Sequence, residues 1–182
     1  MYERKSALYV SQRIKHPLVV AEIGNFKGGN ALRLVKMNIH KLFLIDSYKE
    51  YWQYERQVSG YNQEDLNEAL LKCHNRMIPY MDKVTMIVQQ SVKASTIFPD
   101  NYFDYAYIDG DHSYEPVLAD MEAWYPKVKK DAFLAGHDYG TYDTFRAVQD
   151  FAKKYNLEVV SWCVPGENAV EDWNKDWLVK KE

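Results

Sequence analysis

The chain of 182 residues is 47 % apolar and 27 % charged and carries a net charge of −3, the profile of a water-soluble globular domain with enough chain to bury a core. The slight acidity excludes a general attraction to nucleic acid or an anionic membrane, and no apolar run approaches bilayer-spanning length. No apolar stretch follows Met1-Tyr2-Glu3-Arg4-Lys5 as a secretory leader would require, and Cys73 and Cys163 fit no metal or redox motif, so the expectation is one domain over 1–182 in the reduced cytoplasm, without a membrane partner.

Seven short apolar or β-rich runs recur, at 18–23, 41–46, 83–88, 102–108, 131–136, 157–164 and 176–180. The first, Leu18 to Ile23, enters the turn Gly24-Asn25-Phe26-Lys27-Gly28-Gly29-Asn30, and a helical pattern continues through Ala31, Leu32 and Val35. The clearest helix lies over 63–77, where Leu66, Leu70, Cys73 and Met77 recur at helical spacing. Asn62 is its expected N-cap, with Asp65 placed for a capping box. A second helix follows Ser113, an expected cap, with Val117, Met121 and Trp124 as its buried stripe. A third runs from about Asp143 to Tyr155 with Val148 and Ala152 inward. Strands alternating with helices imply a mostly parallel sheet with helices on both faces. Too little chain separates 157–164 from 176–180 for a crossover helix, so an antiparallel pair at the sheet end is expected.

A strand, a glycine turn and a helix start form a cradle for nucleotide-like ligands. The dinucleotide fingerprint fails because Phe26 occupies its second glycine slot, and a P-loop fails because Lys27 precedes Gly28. What remains is acidic-x-Gly-x-x-x-Gly, from Glu22 through Gly24 to Gly28, without phosphate-gripping residues. In open α/β sheets ligands bind at the carboxyl ends of the strands. Those ends carry Glu22 with the glycine turn, then Asp46-Ser47, Gln89-Gln90-Ser91, Asp109-Gly110-Asp111-His112 and Gly136-His137-Asp138-Tyr139. Asp46 stands about where a ribose-binding acid belongs.

This ordered series resembles the class I S-adenosylmethionine-dependent methyltransferases, and most closely their small-molecule and sugar O-methyltransferase branch, which includes macrocin-type enzymes. The resemblance is carried by Glu22-x-Gly24-x-x-x-Gly28, Asp46, the run Ile108-Asp109-Gly110-Asp111-His112-Ser113-Tyr114, Asp120 and Trp124. It ends on Leu134-Ala135-Gly136-His137-Asp138-Tyr139 and Trp177-Leu178-Val179-Lys180. It implies a Rossmann-like seven-stranded, mostly parallel sheet with an antiparallel last strand. It also implies S-adenosylmethionine as cofactor, held by Glu22, Gly24, Asn25, Phe26, Gly28, Asn30, Asp46, Ser47, Gln90, Ser91 and Asp109. Adenosylmethionine has no phosphates and needs no anion cradle. Gly24 and Gly28 are expected to let the backbone approach it closely, Asp46 to accept the ribose hydroxyls, and Ser91 or Gln90 to meet the adenine edge. The family usually has Ser or Thr where this chain has Asn30.

Two questions stay open at this point. Asp109 and Asp138 lie at the ends of neighbouring strands, and acids there bind a metal in the resembling branch. With His137 they could hold Mg²⁺ or a softer divalent ion. Equally, they could line the pocket without a metal. In the same branch a histidine placed as His112 is the general base, alongside Asp109 as a catalytic residue, and a histidine can serve that role near neutral pH. The aromatic segment Tyr48-Lys49-Glu50-Tyr51-Trp52-Gln53-Tyr54, with Tyr61, is expected to cover the acceptor or to pack against the sheet or a second subunit of a homodimer. The function implied is O-methylation of a small-molecule or sugar hydroxyl, with nucleic acid disfavoured as a partner. The alternative is a non-catalytic S-adenosylmethionine-binding subunit of a larger complex.

Overall fold

A computed structural model describes residues 4–50, 52–53, 56–57, 60–162 and 175–182. Its main sheet has seven strands: β1 (Leu18–Ile23), β2 (Ile39–Asp46), β5 (Val84–Val88), β6 (Phe103–Ile108), β7 (Val128–Gly136), β8 (Val159–Ser161) and β9 (Trp177–Lys180). Their order is β5-β2-β1-β6-β7-β9-β8. The pairings β5–β2, β2–β1, β1–β6 and β6–β7 are parallel, whereas β9 runs antiparallel to both β7 and β8. This is the Rossmann-like, mostly parallel sheet that the strand pattern and the resemblance imply. The antiparallel pair falls at the sheet end where the short connection predicts it. The connecting run Pro165-Gly166-Glu167-Asn168, Cys163, and the side chains of Tyr51, Trp52 and Tyr54 lie outside the described residues. A small ribbon, β3 (Trp52–Gln53) with β4 (Arg56–Gln57), stands apart.

Each face of the sheet buries its own apolar layer. The helices α1 (Lys5–Arg13), α2 (Ala31–Leu34) and α3 (Gln63–Met77) cover one face, through Val10, Leu34, Ala69, Cys73 and Met77. The other face is covered by α4 (Ser91–Ser95), α5 (Tyr114–Trp124) and α6 (Tyr142–Tyr155), through Ala94, Val117, Met121, Trp124, Val148 and Phe151. Central strands buried on both faces read as near-continuous apolar runs, and β6 is buried at every position.

Helix α3 has the bounds its periodicity predicts. Asn62 Oδ1 accepts from the Asp65 N–H at 2.9 Å and Asp65 Oδ2 accepts from the Asn62 N–H at 3.2 Å, a reciprocal capping box. Ser113 stands at the N-cap of α5 but its side chain makes no capping bond; its N–H donates to Asp111 Oδ1 at 2.8 Å instead. The helix after the glycine turn is a single turn, shorter than its apolar pattern suggests. Helices α1 and α4 are additions to the expected elements.

Candidate active site

The strand order reverses beside β1: β2 follows it on one side and β6 lies on the other. A crevice opens at such a switch point, beyond the carboxyl ends of the strands. Here it is a cavity of about 920 Å³. The strand ends line it in sheet order: Gln90 and Ser91 beyond β5, Asp46 and Ser47 after β2, Gly24 to Phe26 after β1, and Asp109 to His112 after β6.

Packing within the protein gives both glycines a structural reason of their own, beside the expected close approach to a ligand. Gly24 has φ +82, and a Cβ there would lie 2.2 Å from the Asp109 carbonyl oxygen. It lets the β1 and β6 loops touch. Gly28 has φ +72, and its Cβ would lie 2.9 Å from Cys73 Sγ, so it lets the turn seat on α3. Asp46 holds the same turn: Oδ2 accepts from the Phe26 N–H and Oδ1 from the Tyr48 N–H, both at 2.9 Å. Both residues have left-handed backbone, φ 41 and φ 47. Burial raises the Asp46 pKa, although these N–H groups pull it down.

The Asn25 side-chain amide is engaged within the protein. Its Nδ2 donates to Tyr48 Oη at 2.6 Å and to Cys73 Sγ at 3.2 Å. Tyr48 is likewise no lid: it is buried, and its hydroxyl donates to the Phe26 carbonyl at 2.7 Å. The aromatic wall on this side is Phe26 with the half-exposed Tyr61, ring centroids 4.8 Å apart.

Deeper in the crevice lies Glu22, 1 % exposed. Burial, and secondarily the Asp109 carboxylate, push its pKa up to about 8 against the pull of Asn30 and Arg4. Asn30 leans toward Glu22, yet its Oδ1 and Nδ2, like Glu22 Oε2, have no hydrogen-bond partner among the described residues. Such buried polar groups are costly unless something satisfies them. At the β5 side, Ser91 Oγ accepts from Trp124 Nε1 at 2.8 Å and also bonds Asp120. Burial raises Asp120 to about 6.

The fourth group gathers acids and histidines at the ends of β6 and β7. His137 Nδ1 lies 3.1 Å from Asp138 Oδ2 and 3.6 Å from Asp109 Oδ1. His112 Nδ1 lies 3.2 Å from the same Asp138 oxygen, and Arg4 Nη2 3.7 Å from Asp109 Oδ2. Burial opposes the charge on His137, but Asp138 and Asp109 outweigh it and its pKa rises. For Asp138 burial raises the pKa, but His137 and then His112 outweigh it and the pKa falls, whereas burial dominates at Asp109 and its pKa rises. One ligand atom each from Asp109, His137 and Asp138 lie within 4.8 Å of one another. Two oxygens and a nitrogen at that spacing fit one divalent ion, and the nitrogen favours the transition metals over Mg²⁺.

A family model described as "Methyltransferase domain" matches residues 21–139. The chain belongs to the methyltransferase domain family. A protein of Acanthamoeba polyphaga mimivirus, named uncharacterized protein R132, is 28 % identical over 136 residues, covering 70 % of this chain and 54 % of its own length. This methyltransferase-domain chain thus spans about half the length of that relative. Among solved structures, SMU.1697c of Streptococcus mutans, in complex with SAH, aligns over 100 % of both chains with TM-score 0.71 and 14 % identity. A precorrin-6y C5,15-methyltransferase of Geobacter metallireducens aligns over 98 % of this chain and 89 % of its own, with TM-score 0.64 and 14 % identity. An rRNA methylase of Streptococcus thermophilus covers 97 % and 95 % at TM-score 0.64 and 13 % identity. At such identities the likeness shows the fold.

Two cavity residues of this methyltransferase domain escape a motif reading. Asp120 stands in the resembling series but gains its place only when α5 sets it beside Ser91 and Gly110. Arg4 precedes every expected element. No helix among the described residues is long and apolar enough to cross a membrane.

Glu22 links ionisation to stability. At pH values below the ordinary glutamate range both folded and unfolded chains hold its proton, and burial carries no ionic penalty. As pH rises toward 8 the unfolded chain releases that proton and the folded chain does not, so stability falls. Glu22→Gln should therefore match the parent near pH 4 and exceed it above pH 8, by up to roughly 5 kcal/mol. Denaturant titrations across that range without cofactor check this; a constant difference at all pH values would contradict it.

Proposed function

We propose that this chain is an S-adenosylmethionine-dependent methyltransferase acting on a hydroxyl of a small molecule or sugar, with a divalent metal assisting. The observation that carries the reading is the single row of Ser91, Asp46, the glycine turn and Asp109 along one crevice. The row ends beside the His112–Asp138 pair. The fold match to a protein solved with SAH supports the choice of cofactor.

The cofactor supplies an electrophilic methyl group on a sulfonium. The protein supplies alignment, exclusion of water and a base. Asp46 would accept from the ribose hydroxyls with its remaining lone pairs, and Ser91 with Asp120 would meet the edge of the adenine. His112 is half-exposed at the cavity wall and is oriented through Nδ1 by Asp138. That leaves Nε2 to take the acceptor proton, the base-and-orienter arrangement of general base catalysis. Asp109, His137 and Asp138 would hold a metal that fixes the acceptor oxygen next to the methyl group.

Calorimetric titration with S-adenosylmethionine and S-adenosylhomocysteine tests the cofactor. The unmodified chain should bind both. Asp46→Ala should bind them about 10- to 100-fold more weakly, the loss expected for hydrogen bonds to a charged group. It should also unfold at lower temperature, because the Phe26 and Tyr48 N–H groups lose their acceptor. Unchanged affinity would remove Asp46 from the cofactor site. Binding without turnover across hydroxylated acceptors would leave a cofactor-binding subunit.

A further inference from the structure

The two edges of the main sheet are unlike. One edge is β8, three residues long and led by the exposed Glu158, the short and charged kind that resists pairing. The other is β5, Val84-Thr85-Met86-Ile87-Val88, which has no charge, proline or glycine and among the described residues pairs only with β2. Its ladder fixes which backbone groups are free. The Leu42 N–H donates to the Lys83 carbonyl at 2.9 Å and the Gln89 N–H to the Asp46 carbonyl at 3.0 Å. In a parallel pair this alternation commits the odd-numbered residues to β2. It turns the N–H and C=O of Val84, Met86 and Val88 away from the sheet.

Exposed apolar side chains collect around the same strand. More than half of the large apolar residues exposed among the described residues fall in one stretch of chain: Leu71, Ile78, Met81, Val88, Val92 and Ile97. Leu71 and Ile78 stand two turns apart on one flank of α3 and its continuation. The opposite flank carries Arg76, which donates to the Lys27 carbonyl of the glycine turn at 2.7 Å, so Leu71 and Ile78 face the β5 side. Val92 in α4 and Ile97 just after it belong to the other face of the sheet. An uncharged β-branched run on an open edge is an aggregation hazard, and an apolar patch around it marks an interface.

We propose that β5 is the dimerisation edge of this chain, two copies pairing β5 with β5, antiparallel about a two-fold axis at Met86. The outward groups are self-complementary in that register. Met86 faces its own copy and Val84 faces Val88, each pair exchanging both backbone hydrogen bonds. Beyond the strand Lys83 faces Gln89 and Asp82 faces Gln90, so no like charges meet across the join. Main-chain bonds set the register and the flanking apolar side chains supply the burial. The two sheets become one, and their crevices open at opposite ends, because each lies at the carboxyl ends of its own strands.

Sedimentation equilibrium of the full chain from micromolar to millimolar concentration tests this, with amide exchange followed residue by residue over the same range. A dimer should form as concentration rises. Exchange at the Val84, Met86 and Val88 amides should then slow about tenfold or more, while the Thr85 and Ile87 amides, bonded to β2, stay protected throughout. Met86→Pro should weaken the dimer at least about tenfold by deleting the donor on the axis. The monomer loses no ladder bond by it, because that N–H faces away from β2. Val88→Lys, at a side chain already 53 % exposed, should weaken the dimer similarly by setting a charge in the join. It decides the matter if Met86→Pro does not fold. A monomer at every concentration would overturn the proposal. So would a dimer whose β5 amides exchange at an unchanged rate, or one that Val88→Lys leaves as strong. None of these readouts involves the cofactor, so they stand apart from the S-adenosylmethionine reading.

Discussion

Gly24→Ala is expected to unfold this protein or bring it close to unfolding. The residue sits at φ +82, where a side chain meets strain of about 1–2 kcal/mol. Steric overlap costs more. An added Cβ would stand 2.2 Å from the Asp109 carbonyl oxygen and 2.5 Å from the Asp109 carbonyl carbon and Gly110 Cα, all backbone atoms. Neither segment can step aside freely, because the Gly24 N–H donates to the Ile45 carbonyl and the Asp109 N–H to the Ile23 carbonyl, each at 2.8 Å. The two effects together amount to several kcal/mol against a typical total of about 5–15 kcal/mol. A fall of roughly 10 °C or more in the unfolding temperature should result. An alanine variant with parental unfolding temperature would show that the two loops do not touch as described.

His112→Ala is expected to slow methyl transfer roughly 10²–10⁴-fold, the usual contribution of a positioned general base, without changing cofactor affinity. The imidazole is half-exposed and its only close ionic partner among the described residues is Asp138. Its loss should therefore leave the fold intact, which thermal unfolding would verify. A chelator should stop turnover in the unmodified chain and spare cofactor binding if Asp109, His137 and Asp138 hold a metal. Full activity in His112→Ala would leave alignment in the crevice as the main source of catalysis. Chelator-insensitive turnover would remove the metal from the mechanism.

Much of this architecture is legible in the chain because local and global signals agree. The Leu66, Cys73 and Met77 spacing, the Asn62–Asp65 box and the apolar runs of β1, β2 and β6 all mark their elements without tertiary help. Helix α1 carries none of those marks. Its N-cap is Arg4 with no capping bond, its first turn has no acid, and it buries only Ser6, Ala7 and Val10. It forms because Asp176, far along the chain, accepts from its first turn. Helix α4 is too short to show a period. Within the site, residue types at strand ends are readable but their geometry is not. Glycine spacing marks a tight turn without saying whether ligand or backbone fills the space beside it. Nothing in Asn25 announces that its amide donates to Tyr48 and Cys73. The convergence of His112, His137 and Asp138 depends on the β6–β7 register, in which Ile108 pairs with Gly136.

The insertion of β9 between β7 and β8 has a consequence for the order in which the molecule is made. On the ribosome, β7 emerges with one edge satisfied by β6 and the other bare, and β8 follows without its neighbour. Both edges remain open until residues 177–180 arrive, and the Asp176 carboxylate that seats α1 arrives with them. The sheet edge and the helix beside the crevice are therefore completed together, when residues 176–180 emerge. Until then the nascent chain presents unpaired strand edges of the kind that invite aggregation.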